Sequence, residues 1–571
     1  MSDAAVPGTA LYFDPDAYTE AHARSGAPSG PAGLMGRQVA GKEFLDAYLS
    51  HARTDVLTAV VRALDRGDVL ATICREHPSN QTRVRRVVLV PEADFLPSVT
   101  SARPPASVLH IPCPPDAKYV WGRQATGARF AISGVTHTLS STNAVQSLCN
   151  LVTAPFESFD ALVCTSRAVV NMVRAVAGTY ADYLADRFGG RPELRARLEV
   201  IPLGVNPDRF RPATPTERAA ERNRLGVADD EVMVLCVGRL SHHAKAHPFP
   251  VFHAADQAAR RTGKKVLLVF AGWAAHPAVE KAYRDGGARM ASGARVAFVD
   301  GQDPAVRFGA WRAADVFVSL PDNIQETFGL VCVEGMASGL PVLASDWDGY
   351  RDLIVDGETG YLIPTQMING ATAQATTRLV FGQINYDHFL AECSQATIVD
   401  PEAAAEALAR LVADADLRRQ LGAAGRARAV ELFRWERVIR AYESLWEEQA
   451  REVLKWSPPS RSYFGPAAYP APEQSFAGYP SQWLGDDDRV CAVAGAMDRL
   501  PLFLSHPLTN VSNERRCRDV KTLTAVLQKV GMPRLVSDIA SEFERASVDS
   551  IQAHATVAWL LKYGLLIRVT V

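Results

Sequence analysis

Pro321-Asp-Asn-Ile-Gln-Glu-Thr-Phe-Gly-Leu-Val-Cys-Val-Glu334 places two glutamates eight residues apart, across a turn that opens a helix. Before it, Ala314-Asp-Val-Phe-Val-Ser-Leu320 is an apolar run bounded by Pro321 and reads as a buried strand. After Glu326, Leu330, Val333 and Ala337 carry helical spacing, and Gly339 and Pro341 stop the helix. Pro341-Val-Leu-Ala-Ser345 makes the next strand. This is a βαβ unit whose loop lies at the carboxyl end of a strand, where open α/β sheets bind ligands. The free N–H groups at such a helix start favour an anion such as phosphate. Carboxylates would repel it, so Glu326 and Glu334 call for neutral hydroxyl partners, as on ribose or a sugar. The combination points to a sugar nucleotide.

A chain of 571 residues is too long for one core and fits about three to four domains. Its hydrophobic (47%) and charged (22%) fractions are those of ordinary globular protein. A net charge of −2 gives no electrostatic case for nucleic acid as a partner. No run of about 18 apolar residues is present, and the start Met-Ser-Asp-Ala-Ala lacks a basic and apolar signal. The nine cysteines are scattered without a Cys-x-x-Cys pair, as expected of reduced thiols. The expected location is cytoplasmic, with peripheral contact to a membrane acceptor left open.

Residues 1–32, rich in Ala, Gly, Pro and Ser, read as a poorly ordered leader. Residues 33–205 form a first set of alternating strands and helices, in which Glu43 to Ala63 has a long helical pattern. Its strands include Val87–Val90, Ala131-Ile-Ser-Gly-Val-Thr and Ala161-Leu-Val-Cys-Thr-Ser. Residues 206–455 form a second set, with strands at Val232–Val237, Lys265–Gly272, Ala294–Val299 and in the motif. Two such sets fit two facing doubly wound domains with a ligand between them. Residues 366–398, rich in Gln, Asn and Thr, read as an insertion, and a helix from about 418 to 454 as one that crosses back. A proline-rich linker follows at 456–482. Beyond it, residues 483–571 carry three helical patterns (Asp519–Val530, Arg534–Glu544, Ser550–Tyr563) and a terminal strand.

The Glu-x7-Glu spacing within its strand, loop and helix resembles the donor-site motif of family 4 glycosyltransferases. Val234-Leu-Cys-Val-Gly-Arg-Leu240 with Lys245, Leu198-Glu-Val-Ile-Pro-Leu-Gly-Val-Asn206 with Phe210, and Asp356-Gly-Glu-Thr-Gly-Tyr-Leu362 resemble family segments in the same order. The resemblance covers roughly residues 30 to 455 and implies the GT-B fold: two facing Rossmann-like domains, each with a parallel sheet. It implies an acceptor side in the first domain and a nucleotide-sugar donor side in the second. Carried over residue by residue, it gives Glu326 a catalytic place at the donor sugar and Glu334 the ribose diol. Arg239 and Lys245 would hold the diphosphate, with Phe328, Gly329 and Leu330 at the helix start beside the donor. His137, in Gly134-Val-Thr-His-Thr-Leu139, resembles the histidine that contacts the donor sugar. Gly33 and Gly36, in Gly33-Leu-Met-Gly-Arg-Gln-Val-Ala-Gly41, resemble the loop near phosphates and acceptor. Thr327 departs from the pattern, since the family often has glycine there.

The resemblance further implies a retaining transfer that needs neither metal nor cofactor. Fixed cations that stabilise a departing diphosphate act more on the transition state than on the ground state. His242, His243 and His247 lack companion acids in their loop, so no metal is assigned to them. The acceptor stays open among saccharide, lipid and protein. The tail's helix-helix-helix-strand order resembles winged-helix modules, including the PqqD type, for which a peptide or protein partner is expected. Two rival readings remain. One is an epimerase or phosphorylase on the same fold. The other is an inert scaffold whose tail binds peptide or DNA, against which Glu326, Arg239 and Lys245 argue.

Overall fold

The structure is a computed structural model. It describes residues 8–18, 36–78, 82–100, 104–458, 470–510 and 516–569. The chain divides into two compact units, residues 1–469 and 470–571.

The first unit holds two parallel sheets. The first is ordered β3-β2-β1-β4-β5-β6-β7. Its strands are β1 (Thr9–Phe13), β2 (Val56–Val61), β3 (Arg86–Pro91), β4 (Val108–Ile111), β5 (Ala131–Val135), β6 (Ala161–Cys164) and β7 (Arg197–Val200). The second is ordered β10-β9-β8-β11-β12-β13. Its strands are β8 (Glu231–Leu240), β9 (Lys265–Ala274), β10 (Arg295–Asp300), β11 (Val316–Ser319), β12 (Val342–Ser345) and β13 (Gly360–Ile363). Strands such as Val56-Leu-Thr-Ala-Val-Val61 and Ala161-Leu-Val-Cys164 are apolar throughout because helices cover both faces of a parallel sheet. This is the GT-B architecture that the sequence implied.

Three sequence expectations are corrected. The leader is not structureless: Thr9-Ala-Leu-Tyr-Phe13 is β1, paired to β2 on one side and β4 on the other, mid-sheet. An apolar strand of five residues was hidden between Gly8 and Pro15. The long helical pattern from Glu43 to Ala63 is a helix, Gly36–His51, followed by the buried strand β2. The β-branched run Val56–Val61 wins over the continuing periodicity. The crossing helix is two helices, Ala415–Leu432 and Trp435–Lys455, broken where Val205 N–H donates to Phe433 O at 2.7 Å.

The helix Trp435–Lys455 buries Val438, Ile439, Tyr442, Leu445, Trp446, Ala450 and Val453 in the first domain's core. Gln449 Nε2 donates to Ile132 O and Phe159 O, at 2.9 and 2.8 Å. The insertion is folded. β14 (Thr365–Met367) and β15 (Thr397–Val399) pair antiparallel at its base, and the helices Ala375–Val380 and Tyr386–Gln395 lie between them.

The second unit is a three-stranded antiparallel sheet with helices. β16 (Arg489–Ala492) lies between β17 (Arg534–Leu535) and β18 (Leu566–Val569). The helices Val520–Lys529, Val536–Arg545 and Ser550–Lys562 put Leu523, Leu527, Ile539, Phe543, Val557 and Leu560 into one core. Among the described residues no helix is long and apolar enough to cross a membrane.

Asp160, at the turn before β6, is a fold element. Arg123 pairs with it through two bonds of 2.7 Å, and both side chains are 1% exposed. The carboxylate also accepts from Ile132 N and Glu157 N, while the guanidinium donates to Phe130 O and Pro155 O. Asp160→Ala leaves a buried guanidinium without its counter-charge, so stability should fall by about 3–5 kcal/mol. Chemical denaturation of the two proteins measures it, and a loss below about 1 kcal/mol contradicts this account.

Candidate active site

The order of the second sheet reverses between β8 and β11, and the crevice outside their carboxyl ends is where the motif lies. Backbones approach closely there. A Cβ on Gly272, in β9, would lie 2.0 Å from Gly238 O, and one on Gly301 would lie 2.8 Å from the Ala271 carbonyl. Gly238 itself has φ +135°. Arg239 leaves this crowded strand end, and its charge acts on Lys245, His243 and Tyr283.

Lys245 Nζ donates to Glu326 Oε2 at 2.5 Å, with the side chains 34% and 14% exposed. Burial works against the lysine's charge, but Glu326 outweighs it and the pKa of Lys245 is raised. Burial likewise works against ionised Glu326. Lys245 and the N–H groups of Thr327 and Phe328 outweigh it, holding this carboxyl below its usual range. Both groups stay charged.

The loop that carries Glu326 is tied at each step. Trp347 Nε1 donates to Asn323 O at 3.1 Å, and Asn323 Nδ2 to His243 O at 2.5 Å. His247 N donates to Asp322 at 3.2 Å; burial pushes that carboxyl up to about 6. Gly329 caps the helix Leu330–Ala337 at φ +97°, and a Cβ there would lie 2.1 Å from the ring of Tyr350. Only glycine satisfies both demands. Tyr350 is fixed in turn by its hydroxyl against Ser319 Oγ at 2.9 Å. Phe328 is buried and Leu330 packs against the same core, so neither turns its side chain to the crevice, and the Phe328 N–H already serves Glu326.

Glu334 is buried on that helix, 8% exposed. Burial first, then Glu43, push its carboxyl up to about 8, against Arg307, Arg209 and Lys245. Glu43 comes from the first domain and is itself raised by burial. Trp435 Nε1 donates to Glu43 at 3.3 Å and Arg209 lies 3.6 Å away. Asp348, at φ +44°, is a further buried carboxyl, raised well above its usual value by burial and Glu326.

Arg239, Lys245, Glu326 and Glu334 are thus brought together at one crevice. His137 reaches it by its backbone, since Thr327 Oγ1 donates to His137 O at 2.8 Å. The glycine-containing loop is corrected in part. From Gly36 onward it is the helix Gly36–His51, in which Gly41 meets the Ala17 carbonyl, while Gly33 lies outside the described residues. His242 lies with its ring centroid 5.2 Å from that of His243 and 6.3 Å from that of His247. Among the described residues no group of three His, Cys, Asp or Glu could hold a metal.

Sequence reasoning missed Glu43, Ser140, Tyr386 and the hydroxyl of Thr327 as neighbours of the site. The departure at Thr327 was the one signal in the motif. Ser166 Oγ donates to Thr327 O at 2.9 Å, so this residue meets the first domain at two points.

Residues 217–380 match the family model described as Glycosyl transferases group 1. That segment contains Arg239, Lys245, Glu326 and Glu334. The D-inositol 3-phosphate glycosyltransferase of Nocardia farcinica is 35% identical over 194 residues, 33% of this chain and 41% of that protein. The protein of the same name from Geodermatophilus obscurus is 30% identical over 293 residues, 50% of this chain and 55% of that protein. The chain therefore spans about half the length of the relatives it matches. Among solved structures, Anabaena Alr3699/HepE in complex with UDP and glucose aligns over 76% of this chain and 98% of its own. It does so with a TM-score of 0.46 and 16% identity.

The raised carboxyl of Glu334 makes a pH prediction. Its folded pKa of about 8 lies above the ordinary 4.5, so the folded chain keeps a proton that the unfolded chain releases. This contribution to stability is full below about pH 4.5 and is lost as pH rises to about 8. Glu334→Gln should flatten that fall and melt above wild type at pH 8, while binding nucleotide more weakly. Thermal scans across pH, beside nucleotide titration, check both halves. Parallel melting curves for the two proteins contradict the assignment.

Proposed function

We propose that this chain transfers a sugar from a nucleoside-diphosphate donor to an acceptor hydroxyl, with retention and without a metal. The observation that carries it is the Lys245–Glu326 pair beside Arg239, inside the segment that matches the glycosyl transferases group 1 model. Arg239, Lys245 and the N–H groups around Gly329 supply positive potential where the leaving diphosphate gains charge. Glu326 then serves the donor sugar and Glu334 the ribose diol. Attack comes from the face the diphosphate leaves, and the departing diphosphate helps to take the acceptor proton. The acceptor named in the relatives, an inositol phosphate, belongs in the acceptor panel beside other sugars, lipids and peptides. For residues 470–571 we infer a winged-helix-like module that recruits a peptide or protein, supported by its helix-helix-strand-helix-helix-strand order behind β16, which begins with the helix Ala496–Ser505.

A panel of nucleotide sugars in differential scanning fluorimetry tests the donor reading: a ligand at 100 times its Kd should add about 2.7 kcal/mol of stability. With the donor so found, Glu326→Ala should abolish turnover and leave UDP or GDP binding nearly intact. Near-wild-type turnover in the folded variant removes Glu326 from the chemistry. Arg239→Ala should weaken donor binding and slow transfer together, by about 10–150-fold for the loss of a charge-assisted bond. Unchanged kinetics place Arg239 elsewhere. EDTA should leave transfer standing, and activity lost in EDTA but restored by Mn²⁺ overturns the metal-free mechanism.

A further inference from the structure

The insertion packs on the segments that carry the donor-site charges. Ala375, Phe389, Leu390 and Cys393 form one apolar cluster with Ala244, beside Lys245, against which Ile324, Leu379 and Tyr386 pack. Two residues of the insertion stand out by position. Tyr386, the first residue of its helix, has its hydroxyl 2.5 Å from Ser140 Oγ in the first domain. Its ring packs against the same apolar cluster as Ile324, two residues before Glu326. Phe389 stacks on the Tyr386 ring, with centroids 6.5 Å apart, which fixes the phenol's direction.

Ser140 and His137 share the loop after β5. Thr327 Oγ1 holds that loop at His137 O, at 2.8 Å, and Tyr386 holds it three residues later at Ser140. Two hydroxyls from separate segments of the donor domain thus grip one first-domain loop. A single grip would leave the loop free to rotate about it, whereas two fix its direction.

We propose that the insertion is a clamp on the sugar side of the site, with Tyr386 as a positioning residue that sets the His137–Ser140 loop against the Glu326 loop. The clamp rests on the transferase reading. Tyr386 touches no reacting atom. It acts by holding the first-domain wall of the sugar pocket in register with Glu326, so its loss should slow transfer and spare the nucleotide end.

The test uses the full chain with Tyr386→Phe, Ser140→Ala and the double variant, measuring kcat, donor KM, UDP affinity and thermal unfolding. Each single variant should lower kcat by about 2–10-fold, the loss of one hydrogen bond, with UDP affinity unchanged. The double variant should be no slower than the slower single, because both remove the same contact. Ser140→Thr, which keeps the hydroxyl, should retain kcat near wild type. The same cycle in thermal unfolding reads the contact without turnover. Non-additive shifts in Tm support the clamp. Additive shifts, or single variants with wild-type kcat, overturn it. A wild type that turns over no donor but still shows the non-additive shifts would sink the transferase reading while keeping the contact.

Discussion

Lys245 carries the charge balance of the cleft. It lies against Glu326 and also acts on Glu334 and Asp348, which are buried carboxyls with pKa values pushed upward. Burying several acids near one another is costly unless each finds a cation or holds a proton. The molecule uses both solutions. Glu326 is kept ionised by Lys245, whereas Glu334, facing Glu43 across the domains, is driven toward its neutral form. Two glutamates from one motif thereby acquire opposite electrostatic characters, Glu326 through Lys245 and nearby N–H groups, Glu334 through burial and Glu43.

Backbone geometry makes this arrangement possible. Gly329 at φ +97°, wedged against Tyr350, turns the chain so that Glu326 meets Lys245 while Glu334 stays on the buried side of the helix. Gly349 backs the same turn, since a Cβ there would lie 2.5 Å from Thr327 O. Both close approaches restrict the conformations open to this loop.

Much of this was legible in the sequence, for physical reasons. Strand β11, the turn at Gly329 and the helix behind it announce themselves through an apolar run, a glycine and helical spacing. Arg239 and Lys245 were placed by their resemblance to a family strand and loop; Arg239 lies within β8, paired with Trp273, rather than beyond its end. What the sequence hid depends on tertiary context. Thr9–Phe13 is only five residues long and sits in a Gly- and Ala-rich stretch, so nothing local distinguishes a central strand from a leader. Val56–Val61 continued a helical rhythm, and only its pairing with β1 and β3 makes it a strand. The insertion looked like polar filler because its few apolar residues, Phe389, Leu390 and Cys393, bury against one another and against Ala244 and Ile324 on distant segments. Glu43 was unreadable as a site neighbour because its partner, Glu334, lies in the other domain.

The chain passes between the two Rossmann-like domains twice, once near Val205 and again at Phe433–Trp435, and the two passages are stitched by the Val205 N–H to Phe433 O bond and the Val205–Arg434 bridge. Gly204 is pressed beneath Trp435, where a Cβ would lie 2.3 Å from the indole. Two neighbouring strands of chain, joined crosswise, behave like a door hinge with a pinned barrel. Such a joint resists sliding or twisting of one domain over the other more than rotation about the line through the passages. Any relative motion of the two domains would then run along that one coordinate. A contact formed far from the pivot gains leverage in proportion to its distance from that line.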